Sequence, residues 1–281
     1  MHNYQELIAQ AIEEDIAEGD HTTLACIPAN AEGKANLIVK EEGVLAGMKI
    51  AKEVFHQINP ELKITEFIED GEEVKVGEIA FEISGSSASI LSGERLALNY
   101  MQRMSGIATH SRRLVKLTAH TNCKILDSRK TTPNNRLFEK MAVEIGGAQN
   151  HRFGLYDMMM IKDNHIDYAG GIPTAISKCK AYLKENELDL KIEIEARNLS
   201  ELEEILASDQ VDRIMLDNFN YADLRKAVEL IGDYAETEAS GGITEATVAK
   251  YAECGVDFIS VGALTHQIYS LDLSLKAIGN G

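Results

Sequence analysis

The chain is poor in cysteine, in positive charge and in long apolar runs, and each shortage removes a class of function. Its 4 cysteines, Cys26, Cys123, Cys179 and Cys254, stand far apart with no Cys-x-x-Cys pair. No Cys/His cluster has zinc spacing, and the thiols read as reduced residues of a cytoplasmic protein. No stretch approaches the ~18 apolar residues of a membrane span. The opening Met-His-Asn-Tyr-Gln-Glu has neither the basic nor the apolar region of a secretory signal, so none is expected. Lys and Arg number 28 against 45 Asp and Glu, a net charge of −17. That balance argues against nucleic acid and against anionic membrane surfaces as partners. There is no G-x-x-x-x-G-K-[ST] loop, no strand-borne G-x-G-x-x-G and no G-x-S-x-G elbow, so ATP hydrolysis, dinucleotide binding and serine-hydrolase chemistry lose support.

The positive charge that is present is concentrated. Of the 28 Lys and Arg, 12 lie between Arg95 and Lys162. An acidic protein repels anions unless it builds a cationic pocket for them. The stretch carries Asp127-Ser-Arg-Lys-Thr-Thr-Pro133, Asn150-His-Arg152 and Ile161-Lys-Asp-Asn-His165. Guanidinium forks and ammonium point charges of this kind suit carboxylates and phosphates. The first expectation is a site for a small, multiply anionic substrate.

Two grammars divide the 281 residues. Asn3 followed by Glu6 resembles a helix start, with Leu7, Ile8, Ala11, Ile12 and Ile16 at helical spacing. A polar turn at Gly19-Asp-His-Thr-Thr23 is expected to end that helix. Residues 35–40, 62–67 and 79–83 alternate as half-buried strands between glycines. Helical periodicity follows from Ser89 to His110. Gly106 marks either a break or a close packing point before a second helix near Thr109–Thr118. A domain boundary is placed near residue 110, giving a small N-terminal unit, 1–110, and a second domain, 111–267.

From Cys123 onward, short apolar runs alternate with helical segments. The runs are 123–126, 158–161, 191–194, 213–216, 235–239 and 257–261, at intervals of roughly 20–35 residues that fit successive βα units. Six such runs predict an α/β domain with parallel strands, an incomplete or open barrel. Each run ends on chemistry: Ser128-Arg-Lys130, Lys162, Glu195, Asp217, Ser240-Gly241-Gly242 and Val261-Gly262-Ala263. Barrel enzymes place their sites at this end of the strands.

Taken singly, each of these residues has a plainer reading. Arg129, Lys130, Arg152 and Lys162 could be solvated surface charges, and His151 a hydrogen-bonded structural histidine. Three separate segments placing cations after strands weigh against the first reading. Glu195 and Asp217 suit Mg²⁺ or ribose hydroxyls, or else a helix cap or a salt bridge to the nearby cations. The glycine loops at 240–242 and 261–263 could cradle a phosphate on backbone N–H groups, or be tight turns.

Taken together, the segments resemble the quinolinate phosphoribosyltransferase family, also called nicotinate-nucleotide pyrophosphorylase (carboxylating). The resemblance runs in order along nearly the whole chain. It rests on Glu14-Asp15 with Gly19-Asp-His-Thr-Thr23, Gly93-Glu-Arg-Leu-Ala-Leu-Asn99, Ser105-Gly-Ile-Ala-Thr109, Ser128-Arg-Lys-Thr-Thr-Pro133, Asn150-His-Arg152, Ile161-Lys-Asp-Asn-His165, Leu216-Asp-Asn218, Ala239-Ser-Gly-Gly-Ile243 and Val261-Gly-Ala-Leu-Thr-His266. It implies an N-terminal α/β sandwich, an incomplete α/β barrel and a C-terminal helix within 268–281 that returns to the first domain.

It further implies a homodimer with shared active sites, Arg95 reaching into the neighbouring subunit's site. Arg129, His151 and Arg152 would join Arg95 around the two carboxylates of quinolinate, and Ser128 would be a further substrate-binding residue. Lys130, Lys162, Glu195 and Asp217 would hold phosphoribosyl pyrophosphate and its Mg²⁺. Ser240, Gly241, Gly242, Val261, Gly262 and Ala263 would take the 5′-phosphate. The implied reaction joins the two substrates and releases pyrophosphate and CO₂, giving nicotinate mononucleotide for NAD biosynthesis.

Asn134-Asn135 departs from the Gly-Leu usual in the family. Asn tolerates the left-handed conformation, so the turn can survive. Ala148 stands where a third Gly is common, and Ser128 where Thr is common. Four rivals remain at this stage: a relative associated with molybdenum transport, a nicotinate-specific transferase, a Schiff-base aldolase using Lys162, and a non-catalytic sugar-phosphate sensor.

Overall fold

The computed structural model describes residues 3–279. In chain order its elements begin with α1 (Tyr4–Ile16), α2 (His21–Cys26), β1 (Glu32–Val39), β2 (Gly43–Val44), α3 (Met48–Ile58), β3 (Lys63–Glu66), β4 (Glu73–Val74), β5 (Ile79–Ser86) and α4 (Ser87–Thr118). They continue with β6 (Lys124–Leu126), α5 (Arg136–Ile145), β7 (Met159–Ile161), α6 (Asp163–Ala169), α7 (Ile172–Glu185), β8 (Ile192–Ala196) and α8 (Leu199–Leu206). The last are β9 (Arg213–Asp217), α9 (Tyr221–Ile231), β10 (Glu236–Ser240), α10 (Val248–Ala252), β11 (Phe258–Ser260), α11 (Ala263–His266) and β12 (Leu273–Ile278).

Two compact units emerge, and they are not contiguous in sequence. The first comprises residues 1–112, 131–147 and 265–281; the second comprises 113–130 and 148–264. The expected division at residue 110 falls close to the first crossing but misses the return of 131–147 to the first unit.

In the first unit, α1 starts where the Asn3 side chain accepts a hydrogen bond from the Gln5 amide, one of the donors a helix start leaves orphaned. The Gly19–Thr23 segment is not only a turn. Asp20 caps a further helix, α2, by accepting from the Thr23 amide. An antiparallel sheet in the order β12-β1-β5-β3 forms the layer behind the helices. The apolar helix α3 packs Ile50, Val54 and Phe55 into the core, with Phe55 edge-on to Phe81 of β5.

Helix α4 runs unbroken through Gly106, contrary to the expected second helix. Gly106 is the close packing point instead, because a Cβ there would overlap the carbonyl oxygen of Tyr269. The expected C-terminal helix is also corrected. Residues 273–278 form β12, antiparallel to β1 from Lys34↔Ile278 to Val39↔Leu273. Leu273-Ser-Leu alternates at period 2, with both leucines buried, and so follows a strand pattern. The segment does return to the first unit, and residues 280 and 281 of that expectation lie outside the described residues.

The second unit is a six-stranded sheet in the order β6-β11-β10-β9-β8-β7, parallel in every pairing. Strands follow one another around this order and no β6–β7 pairing closes it among the described residues, which is the open barrel expected from the six runs. Short connections carry their own punctuation. Asn198 caps α8 by accepting from the Glu201 amide, and Asn220 caps α9 by accepting from the amides of Ala222 and Asp223. All strands point the same way, so their C-terminal ends share one rim.

Candidate active site

The rim of the second unit gathers the charged residues named from sequence. Strand period 2 decides which side chains face inward. On β8 these are Glu193 and Glu195, on β9 Arg213, Met215 and Asp217, and on β10 Glu236, Glu238 and Ser240. The register sets Ser240 opposite Asp217, Glu195 opposite Met215 and Glu193 opposite Arg213. Burial separates them: Glu195, Asp217 and Ser240 are half-buried toward the rim, while Glu193 and Glu238 are fully buried, Glu238 sharing the level of Glu195 opposite Met215.

At the rim, Lys162 follows β7 and its ammonium donates to a carboxylate oxygen of Glu195. The Lys162 amide donates to Nδ1 of His165 at 2.9 Å, which makes His165 part of the cap of α6. Arg152 is half-buried and donates through Nη1 to the Met158 carbonyl at 3.1 Å. Burial, and then the neighbouring Arg129 guanidinium, depress its pKa, against the pull of Glu193, Asp157 and Glu195. A second guanidinium held this close to Arg152 favours an anion between them. Ser128 accepts from the Lys130 amide at 3.1 Å, which folds that loop, and Lys130 is exposed.

The glycine loops are built by backbone demands. Gly241 and Gly242 take φ of 100° and 61°, in the region that favours glycine. Asn218, at φ 57°, donates its backbone N–H to the Ser240 carbonyl at 2.8 Å, and its side chain donates to Asp217 at 2.7 Å. The Val261 amide donates to the Leu126 carbonyl at 2.9 Å, tying the 261–263 loop to the end of β6.

Below the rim lies a buried cluster in which Asp127 and His151 come from segments singled out in the sequence for anion binding, while Glu193, Glu238 and Arg213 do not. Glu193, Glu238 and Asp127 are fully buried, and His151 is 7% exposed. His151 Nε2 is 3.2 Å from Glu193 and 3.4 Å from Glu238. Arg213 lies 3.2 Å from the same oxygen of Glu238 and stacks over Phe258 at 3.9 Å. Asp127 accepts the His151 amide at 2.7 Å, and the Arg152 amide donates into His151 Nδ1 at 2.7 Å.

Burial alone would lower the His151 pKa, but the Glu193 and Glu238 carboxylates outweigh it and lift the value to about 9. That would charge the ring at neutral pH. The Arg152 amide hydrogen aimed at Nδ1 opposes a second ring proton, so the ring carries one proton, on Nε2. The other proton of the cluster then belongs to Glu193, whose pKa burial and Glu238 push up to about 7. Glu238 is held low by His151, Ser260 and Arg213 despite burial. Arg213 and Glu238 then pair as opposite charges, and neither His151 nor Glu193 adds a further one.

Arg95 and the 131–135 segment belong to the first unit. Arg95 is exposed on α4. Asn134 takes φ 63°, so the asparagine does adopt the left-handed turn. Glu139 holds this loop: fully buried, it accepts from Arg103 Nε at 2.9 Å and Nη2 at 2.6 Å, from the Thr132 amide at 3.1 Å and from Asn135 at 3.3 Å.

Comparison with known proteins agrees with the architecture. Residues 20–105 match the quinolinate phosphoribosyl transferase N-terminal domain, and residues 107–276 match its C-terminal domain. The chain belongs to the quinolinate phosphoribosyltransferase family. It is 44% identical over 285 residues to a chloroplastic nicotinate-nucleotide pyrophosphorylase [carboxylating] of Arabidopsis thaliana, covering 96% of this chain and 81% of that one. It is 41% identical over 262 residues to a probable nicotinate-nucleotide pyrophosphorylase [carboxylating] of Bacillus subtilis, covering 93% and 89%. The solved nicotinate-nucleotide pyrophosphorylase of Francisella tularensis superposes with a TM-score of 0.92 at 40% identity, covering 98% of this chain and 96% of that one.

Proposed function

We infer that the chain transfers a phosphoribosyl group from phosphoribosyl pyrophosphate to quinolinate and decarboxylates the product, giving nicotinate mononucleotide, pyrophosphate and CO₂. The observation that carries this reading is the Arg129 guanidinium close enough to depress Arg152, beside Lys162 paired to Glu195, on a protein of net charge −17. Such a pair fits a ligand with two adjacent carboxylates, bound through charge-assisted forks.

Lys130 and Lys162 would neutralise the pyrophosphate, and the loops at Ser240–Gly242 and Val261–Ala263 would hold the 5′-phosphate on backbone N–H groups. Glu195 and Asp217, inward-facing on adjacent strands, offer the hard oxygen donors that suit Mg²⁺. When bound, the ion would supply charge to the departing pyrophosphate. A homodimer, with Arg95 reaching the partner's site, suits an exposed arginine on α4. Among the described residues no helix is long and apolar enough to cross a membrane, and the four free cysteines fit a cytoplasmic location.

In the proposed reaction the ring nitrogen lone pair forms the bond to the anomeric carbon. The bond from that carbon to the pyrophosphate oxygen breaks, and its electron pair leaves with pyrophosphate. The resulting pyridinium accepts the electrons of the adjacent carbon–carboxylate bond as CO₂ departs, and the ring carbon then takes up a proton. The residues position and neutralise; none is asked to move a proton in the transfer step.

Calorimetric titration tests the pocket. The account expects quinolinate to bind and nicotinate, with one carboxylate, to bind about 10-fold or more weakly. Equal affinities would contradict the assignment of Arg129 and Arg152 to two carboxylates.

A further inference from the structure

We infer that His151 is a positioning residue that does not touch the substrate: Glu193 and Glu238 clamp its Nε2, and its Nδ1 takes the Arg152 amide, which sets the backbone from which the Arg152 guanidinium meets quinolinate. The inference rests on the reading of Arg152 as a quinolinate ligand. It departs from the role that resemblance implies for His151, as a third group around the carboxylates.

An imidazole offers hydrogen bonds in only two directions, one per ring nitrogen. In this chain Nδ1 faces the Arg152 amide at 2.7 Å, and Nε2 faces the carboxylates of Glu193 and Glu238 at 3.2 and 3.4 Å. The side chain is 4% exposed. A ligand carboxylate at the rim would therefore meet the Arg152 side chain and not a ring nitrogen.

The clamp is assembled by the fold. Glu193 sits opposite Arg213 in the β8–β9 register, and Glu238 on β10 is fixed by the Arg213 guanidinium. Asp127, one residue beyond β6, takes the His151 amide. Asp127 just beyond β6, Glu193 on β8 and Glu238 on β10 thus converge on one short loop segment, Asn150-His151-Arg152, with Arg213 of β9 holding Glu238. Ligand atoms of His151, Glu193 and Glu238 lie within 4.8 Å of one another and could in principle hold a metal. The oxygen of Glu238 that faces His151 already receives Arg213, and a second cation beside that guanidinium would be repelled.

The ¹⁵N spectrum of the histidine rings at pH 7, recorded on the full-length protein with and without saturating quinolinate, tests the inference. The His151 signals are identified as those displaced in Glu193→Gln. One protonated and one unprotonated ring nitrogen in both samples is expected. Imidazolium shifts at both nitrogens, in the free protein or on adding quinolinate, would overturn it. Kinetics give a second reading: Glu193→Gln should raise KM for quinolinate about 10-fold or more while KM for phosphoribosyl pyrophosphate stays within about 2-fold. Unchanged KM for quinolinate, or equal rises in both constants, would remove the positioning role. If the wild-type protein binds no quinolinate at all, the functional reading fails instead. The ring tautomer of the free protein still decides whether the clamp exists.

Discussion

Asn218 lies directly against Gly241: a Cβ on Gly241 would overlap the Asn218 side-chain oxygen and stand 2.9 Å from its backbone nitrogen. The two residues follow β9 and β10, at the level where Asp217 and Ser240 are paired. The loop proposed to hold phosphate is thus shaped by its neighbour strand's loop. Gly241→Ala must accommodate both the clash and φ of 100°, at a cost of about 1–3 kcal/mol. The expected outcome is a raised KM for phosphoribosyl pyrophosphate with a modest fall in melting temperature. An unchanged KM would show that the 240–242 loop does not bind the sugar phosphate.

Arg129 and Arg152 carry the carboxylate end of the proposed site. Arg152→Ala should cost about 2–4 kcal/mol of transition-state stabilisation, or roughly 30- to 1000-fold in kcat/KM, because it strips a charged partner from a bound anion. Circular dichroism and the melting curve should remain those of the wild type. Arg152→Lys should recover only part of the loss, since an ammonium cannot supply the fork.

The deeper cluster predicts a pH effect on stability. Burial, then Glu238, raises the Glu193 pKa from 4.5 to about 7 in the folded protein. A raised folded value means the contribution is fully present below 4.5, starts to fade above it, and is lost as pH rises through about 7. Glu193→Gln does not titrate. The melting temperature of the wild type relative to Glu193→Gln should therefore fall between pH 5 and pH 8. A pH-independent difference would place the cluster's proton elsewhere.

Much of the barrel was legible because parallel strands buried on both faces leave short apolar runs, as Arg213-Ile-Met-Leu216 does. The turn at Asn134 was also legible, since few residues other than glycine accept φ of 63°. Two features were not. Leu271–Ile278 carries enough apolar residues for either period, and only its pairing with β1 makes it a strand. The segment 131–147 gives no local sign that α5 packs with the first unit, where Phe138 meets Tyr100. Glu193 and Glu238 had a weak signal: each lies two residues before a rim residue on its own strand, Glu195 or Ser240, and hence on the same face. Alternation shows that such a residue faces inward but not which partners await it there.

Glu139 illustrates a further residue without a motif. It is fully buried and binds Arg103, Thr132 and Asn135 at once. Glu139→Ala leaves the Arg103 guanidinium without its carboxylate and should lower unfolding stability by about 3–5 kcal/mol. Urea denaturation measures it, and a loss below about 1 kcal/mol would show that the pair is dispensable.

The central claim is decarboxylating phosphoribosyl transfer, and the most direct test is the stoichiometry of a single reaction mixture. The purified protein is incubated with quinolinate, phosphoribosyl pyrophosphate and Mg²⁺, while nicotinate mononucleotide, pyrophosphate and CO₂ are quantified together. The account predicts equal amounts of all three and no nucleotide when nicotinate replaces quinolinate. A folded protein that releases no CO₂ from quinolinate, or that makes the nucleotide from nicotinate, would contradict it.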